Sequence, residues 1–345
     1  MRKPGYNFAL LGLLLGFVVV VLGAYTRLTH AGLGCPDWPG CYGFLSVPRG
    51  DAALELAQMR FPDSPVEAFK AWAEMIHRYA AGTLGLVILG LALNSLRHRR
   101  QAGYPVGLSF GLLALVICQA AFGMWTVTLK LWPQVVTAHL LGGFATLSLL
   151  LLLCLRLHGG QRPLGGSGRQ SLRLLARVAL VVVIAQIALG GWTSSNYAAL
   201  ACTDLPTCHG EWWPEMNFSA GFDVFHEIGP NYLGGILDGA GRTAIHFAHR
   251  VGALITTLTV LLLAWRLLRS GLPSLAALLA LALAFQVTLG ITNVLAHLPL
   301  SVAVAHNAGG ACLLLVMVAV NYRLRLPGRA AIFARPHPGS ALASH

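Results

Sequence analysis

Residues 270–322 read SGLPSLAALLALALAFQVTLGITNVLAHLPLSVAVAHNAGGACLLLVMVAVNY, with no Asp, Glu, Lys or Arg anywhere in the run. A helix crossing the hydrocarbon core of a bilayer needs about 20 apolar residues. This run is therefore long enough for two spans, with the break near His297–Pro299. The uncharged runs 4–26, 101–129, 131–155 and 178–203 supply one span each. A helix after Arg78 and another around Arg250 bring the total to eight. The expected helices lie near 8–24, 71–96, 105–128, 134–157, 174–195, 242–268, 274–295 and 300–323. The fold class is an all-α integral membrane protein.

Composition and charge agree. The 345 residues are 56% hydrophobic and 10% charged, against about 25% charged in soluble domains. The net charge of +12 is not a nucleic-acid footprint, because its distribution follows the loops. All twelve acids fall within Asp37–Glu74 and Asp204–Asp238. The other inter-helix segments are basic only: Arg2–Lys3, Arg97–Arg100, Arg156–Arg177, Arg266–Arg269 and Arg323–Arg335. The positive-inside rule then places both termini in the cytoplasm and the two acid-bearing loops outside. The first apolar run lacks a small-residue cleavage site, and no amphipathic, Arg/Ser-rich segment precedes it, so it reads as a span. The expected address is a bacterial cytoplasmic (inner) membrane, crossed many times.

The chain also repeats itself. At an offset of 167 residues, Cys35-Pro-Asp-Trp-Pro-Gly-Cys41 falls on Cys202-Thr-Asp-Leu-Pro-Thr-Cys208, Gln119 and Gly123 fall on Gln286 and Gly290, and Ala138-His139 falls on Ala305-His306. Gly142 and Gly143 match Gly309 and Gly310, and five extra residues in the outer loop bring His77-Arg78 onto His249-Arg250. Four spans per repeat is an even number, so the halves share one orientation and are parallel four-helix-bundle repeats. The expected domains are 1–157, a linker at 158–173, 174–324 and a cytoplasmic tail at 325–345.

Four of the thirteen histidines, His77, His139, His249 and His306, lie inside helices at similar depth from the outer surface. A polar group at that depth is costly unless it faces a partner or a cofactor. A lone histidine there suggests a hydrogen bond to a neighbouring helix. Two pairs at matched repeat positions suggest ligation, and two imidazoles from facing helices suit the axial positions of a haem iron. Zinc would recruit a third or fourth ligand such as Cys, and no Cys accompanies them. Arg78 and Arg250 follow two of the ligands directly; their guanidinium groups can meet haem propionates or snorkel to lipid phosphates. The repeats diverge at Glu74, one helix turn before His77, where the other half has His246. A carboxylate there can remove a proton beside a porphyrin or simply sit near a helix start, where the dipole favours it.

The cysteines divide by place. Cys35/Cys41 and Cys202/Cys208 lie in the outer loops and are expected as two intra-loop disulfides, with cross-pairing between loops the alternative. Cys118, Cys154 and Cys312 lie singly in helices and read as small apolar fillers. His98, His158, His297, His337 and His345 sit at loops or the tail, and His30, His209 and His226 in the outer loops. Arg27, in Tyr25-Thr26-Arg27-Leu28-Thr29, either guards the site entrance or anchors at the membrane interface.

Taken together, Glu74-Met-Ile-His77-Arg78, Thr137-Ala-His139-Leu, Ile245-His-Phe-Ala-His249-Arg250, Ala305-His306-Asn307, Thr26-Arg-Leu-Thr-His-Ala-Gly-Leu-Gly34 and the paired loop cysteines resemble the heme A synthase family. The resemblance spans the first helix to the eighth, in the subtype with paired outer-loop cysteines. It implies an enzyme that oxidises one methyl group of haem O to a formyl group, giving haem A for terminal oxidase assembly. It also implies that haem b is the cofactor of the C-terminal half, at His249 and His306 with Arg250. The substrate haem O would then bind in the N-terminal half at His77 and His139 with Arg78, and Glu74 would be catalytic. Implied partners are the haem O synthase that supplies the substrate, an unidentified electron carrier and membrane lipid, with no nucleic acid and with homo-oligomerisation left open. The rival reading is a bis-histidine dihaem electron-transfer cytochrome, which explains four ligands without Glu74. A haem exporter is a third, for which no nucleotide-binding motif is present.

Overall fold

The computed structural model describes residues 2–159, 170–225 and 227–325. Most of the expected linker and nearly all of the expected tail, with His226, His337 and His345, lie outside the described residues. Among the described residues, eight helices are long and apolar enough to cross a membrane. They are α1 (Tyr6–Leu28), α3 (Ala68–Arg97), α4 (Val106–Thr128), α5 (Pro133–His158), α6 (Gln170–Ser195), α8 (Gly239–Arg269), α9 (Pro273–Leu295) and α10 (Leu300–Arg325). Two short helices in the long loops, α2 (Asp51–Arg60) and α7 (Phe218–Gly221), have no counterpart among the expected elements.

Local chemistry fixes where the helices begin. Pro133 and Pro273 sit in the first turns of α5 and α9, where a missing N–H costs nothing. The Asp238 carboxylate caps α8 by accepting from the Gly241 N–H at 2.7 Å, satisfying a donor that the helix itself leaves free. The tight α4–α5 turn runs through left-handed Lys130 and Leu131 (φ 47° and 62°), and the α9–α10 turn through His297 and Leu298 (φ 56° and 60°). These pairs are again 167 residues apart.

The helices pack as two rings. In the first, α1 touches α3 and α5, and α4 touches α3 and α5; in the second, α6 touches α8 and α10, and α9 touches α8 and α10. Helices α3 and α5 are therefore diagonal in their ring, as are α8 and α10 in theirs. The rings meet through α1 against α10, α5 against α6 and α5 against α10. Apolar packing is concentrated at the end nearer the termini. There Leu84, Ile88, Leu91, Leu112, Leu150, Leu153 and Leu157 fill one ring, and Val183, Val260, Leu263, Leu279, Leu313 and Met317 lie in the core of the other. The opposite end, toward the loops, holds the histidines.

Candidate functional site

The four histidines lie within the first three turns of α3, α5, α8 and α10, all entering from the loop end. In each ring the two histidine-bearing helices are the diagonal pair, so each pair of rings faces the other across a bundle interior. His139 lies within electrostatic range of His77, and His249 of His306. Every ring rests in a notch that a glycine makes on a flanking helix. A Cβ at Gly23 would stand 3.0 Å from Cε1 of His77, one at Gly123 3.4 Å from His139, one at Gly190 3.2 Å from His249 and one at Gly290 3.1 Å from His306. Gly123 and Gly290 were visible as repeat matches. Gly23 and Gly190 share the same offset, but Gly23 stands alone in an apolar run and Gly190 is matched there by no other residue of a motif.

One nitrogen of each imidazole is left over. His77 hydrogen-bonds the Val19 backbone and His306 the Gln286 backbone, each one turn below its glycine. Nδ1 of His77, His139 and His306 is buried with no partner, and an unsatisfied buried polar atom costs about 1–3 kcal/mol. Nδ1 of His249 lies 3.1 Å from Nε2 of Gln186, which leaves the opposite nitrogen of that ring. Two imidazoles facing one another across a four-helix interior, with ring nitrogens to spare, are a donor set that would fit a haem iron. Among the described residues, no three His, Cys, Asp or Glu side chains gather as a metal cluster.

Glu74 is 4% exposed and its carboxylate is fully engaged. Oε2 accepts the Cys35 N–H at 2.9 Å and Oε1 pairs with Arg78 Nη2 at 2.5 Å. His246 repeats this contact in the other half, where its Nδ1 accepts the Cys202 N–H at 3.1 Å. The two residues that differ in sequence therefore hold the same backbone atom. The arginines follow suit. Arg78 donates to the carbonyls of Asp37, Pro39 and Gly40, and Arg250 to those of Thr207 and Cys202. Both guanidinium groups thus fasten the cysteine loops to the helices that carry His77 and His249.

Those loops are built alike. Disulfides join Cys35 to Cys41 and Cys202 to Cys208, so the intra-loop pairing holds. Asp37 accepts the N–H groups of Tyr42 and Gly43, and Asp204 those of His209 and Gly210. The Thr207 hydroxyl, with these amides, holds the Asp204 carboxyl well below the usual carboxylate range. The helical cysteines need a correction. Cys154 is buried as expected, but Cys118 and Cys312 are exposed on the helix surfaces, where a small side chain faces outward rather than filling a core.

Arg27 reaches across to the other ring. It donates to the Tyr197 hydroxyl and the Ser194 carbonyl, both at 2.6 Å, and its guanidinium lies 4.1 Å from the centre of the Tyr197 ring. His30 stacks on the same ring at 5.5 Å. Burial, Arg27 and Lys70 together lower the pKa of His30. This cluster joins the end of α1 to the end of α6, one helix from each ring.

Comparison with known proteins places this arrangement. The family model described as cytochrome oxidase assembly protein matches residues 6–318. A heme A synthase of Shewanella oneidensis is 51% identical over 308 residues, covering 89% of this chain and 92% of its own. The heme A synthase of Caulobacter vibrioides is 29% identical over 333 residues, covering 90% and 93%. The Arabidopsis thaliana heme A synthase COX15 is 27% identical over 357 residues, covering 93% and 74%.

Proposed function

The chain belongs to the heme A synthase family, and we propose that it oxidises one methyl group of haem O to a formyl group inside its N-terminal ring. It is a multi-pass membrane protein of heme A biosynthesis. The observation that best supports the finer reading is the pair of facing histidines in each ring, set in glycine notches with ring nitrogens to spare.

His249 and His306 would hold haem b, which supplies one-electron redox chemistry when bound. His77 and His139 would hold the substrate haem, placing its edge near the loop end of α3. The reacting methyl adjoins an aromatic macrocycle, so charge or spin left by loss of hydrogen spreads into the ring. Two successive hydroxylations, each adding a water-derived hydroxyl as two electrons and two protons leave, the electrons for the carrier, give a gem-diol, which loses water to the aldehyde. Glu74 accepts a proton or stabilises developing positive charge near that edge. Its bonds to Arg78 and to the Cys35 N–H fix its position. Arg78 and Arg250 act by fastening the loops over the two sites. A haem O synthase would supply the substrate and a separate electron carrier would take up the electrons. The loop charges support cytoplasmic termini in a bacterial inner membrane.

The ligand assignment is tested by His249→Ala and His306→Ala. Each should yield inserted protein that has lost its haem b absorbance. Unchanged haem b spectra in both variants would remove the assignment. Haem extraction separates this reading from a dihaem cytochrome: the enzyme should carry haem O or haem A beside haem B, the cytochrome haem B alone.

A further inference from the structure

The turn between α3 and α4 gathers positive charge that the described residues do not balance. Leu96, Arg97, Arg99 and Arg100 line a cleft of about 450 Å³ at the end of α3 away from the histidines. Among the described residues, none of the three guanidinium groups makes an ion pair. The two ion pairs present, Lys70 with Glu67 and Arg78 with Glu74, lie at the opposite end of the molecule. Lys3 adds a fourth cation beside the turn, its Nζ donating to the carbonyls of Ala102 and Gly103 at 3.3 and 2.6 Å. The turn itself is firmly built. Asn94 donates to the Tyr104 hydroxyl, which donates to the Pro4 carbonyl, and His98 stacks on the Tyr104 ring.

The second ring lacks this corner. At the repeat offset of 167 the counterpart of Lys3 is Gln170; at the α3–α8 offset of 172 Arg97 matches Arg269, but Arg99 and Arg100 match Gly271 and Leu272. At the matched positions four cations become one. What the two helices share is an apolar outer face. On α3, Leu86, Leu89, Leu93 and Leu96 recur every three or four residues and are all exposed, and the stripe ends in the arginine cleft. A helix of 30 residues rises about 45 Å, against about 30 Å of hydrocarbon. The stripe therefore faces acyl chains while the arginines stand at the level of the headgroups.

We propose that this corner binds an anionic phospholipid of the leaflet that meets the basic loops. Its phosphates sit on Arg97, Arg99, Arg100 and Lys3, and an acyl chain lies along the leucine stripe. Guanidinium groups present paired N–H donors that match phosphate oxygens, and basic pockets at helix ends take lipid headgroups of high negative charge. Four cations suit a headgroup with two phosphates, as in cardiolipin, better than one with a single phosphate. A free phosphate would satisfy the arginines but leave the stripe unused, so the occupant is a lipid. The bound lipid steadies α3, the helix that carries Glu74 and His77 toward its other end. This inference stands apart from the assignment of the haem sites.

The test titrates the full-length protein in detergent with cardiolipin and, separately, with phosphatidylcholine, counting bound lipid by native mass spectrometry. The unaltered protein should bind cardiolipin in clear preference. Arg99→Gln combined with Arg100→Gln should weaken that binding about thirtyfold, from about fivefold per arginine at a membrane surface. Arg99→Lys combined with Arg100→Lys keeps both charges and should bind nearly as the unaltered protein does, which separates lost charge from a disturbed turn. Arg269→Gln, at the matched place on the second ring, should change nothing. Unaltered affinity in the glutamine pair overturns the proposal, as does an equal loss in Arg269→Gln, which would reduce the effect to overall charge. Absence of a preference for cardiolipin also overturns it. Inorganic pyrophosphate is the last probe: failure to displace cardiolipin at equal concentration supports the lipid, whereas displacement would make the corner a site for soluble phosphate and overturn it.

Discussion

Glu74 and His246 show how a difference in sequence can hide a shared contact. Each accepts the N–H of the first cysteine in its loop, so that contact is not what sets the halves apart. What remains different is chemistry: a carboxylate can take a proton from substrate beside a bound Arg78, whereas His246 offers a single imidazole nitrogen already spent on Cys202. Glu74→His therefore makes a sharper variant than Glu74→Gln, since histidine is known from the other half to hold the loop. We expect Glu74→His to keep its disulfide and its haem b while conversion of haem O falls about a hundredfold or more, the usual range for removing a general base. Haem O accumulating in extracts would be the readout, and haem A formed at the normal rate would show that the carboxylate is dispensable. The i, i+3 spacing of Glu74 and His77 was legible in the sequence. The Cys35 partner was not, because it is 39 residues away along the chain and reaches Glu74 only when the loop folds back.

Among elements, the spanning helices were legible to within a few residues because their signal is local: length, apolarity and the absence of charge. Helix α2 escaped because Asp51–Arg60 mixes three charged residues with short apolar ones and carries no strong helical stripe. The cysteine loops are elements of their own, each closed by a disulfide six residues long in separation and pinned by an arginine from the helix behind it. Cross-linking a loop this short restricts the unfolded chain by about 2 kcal/mol. Cys35→Ser should cost roughly that amount, seen as a lower midpoint when the purified protein is heated. It should also free Arg78 from the loop carbonyls, exposing residues 35–44 to faster hydrogen exchange. Exchange and melting like those of the unaltered protein would mean that Asp37 and Arg78 hold the loop without the disulfide.

At the scale of the whole molecule, the contact between the two rings sets how their histidine pairs lie relative to one another. Much of their contact is helix against helix, through α1, α5, α6 and α10, where small residues such as Gly191 let Thr137 and Leu140 approach closely. The polar clamp at the loop end is Arg27 on the Tyr197 hydroxyl and the Ser194 carbonyl. Hydrogen bonds from a charged donor are worth about 1.5–3 kcal/mol each, and Arg27 is only part-buried, so the clamp as a whole is worth about 2 kcal/mol after screening. Arg27→Ala should lower the thermal midpoint followed by haem b absorbance, with Arg27→Lys between the two because it keeps the charge and loses the fork. A midpoint unmoved by Arg27→Ala would mean that apolar packing alone joins the rings.

Sequence by itself determined the eight spans, the 167-residue echo and the four histidines, because hydropathy, periodicity and repetition are properties of the chain read in order. It also carried the family motifs. Only the tertiary structure decided what each polar side chain does with its hydrogen bonds. Arg78 and Arg250 turn to loop carbonyls, Arg27 crosses to the other ring, and Gln186 rather than any acidic residue attends His249. The reason is physical: inside a membrane protein a buried donor or acceptor must find its partner within about 3 Å, and which residue stands there depends on packing between helices far apart in sequence.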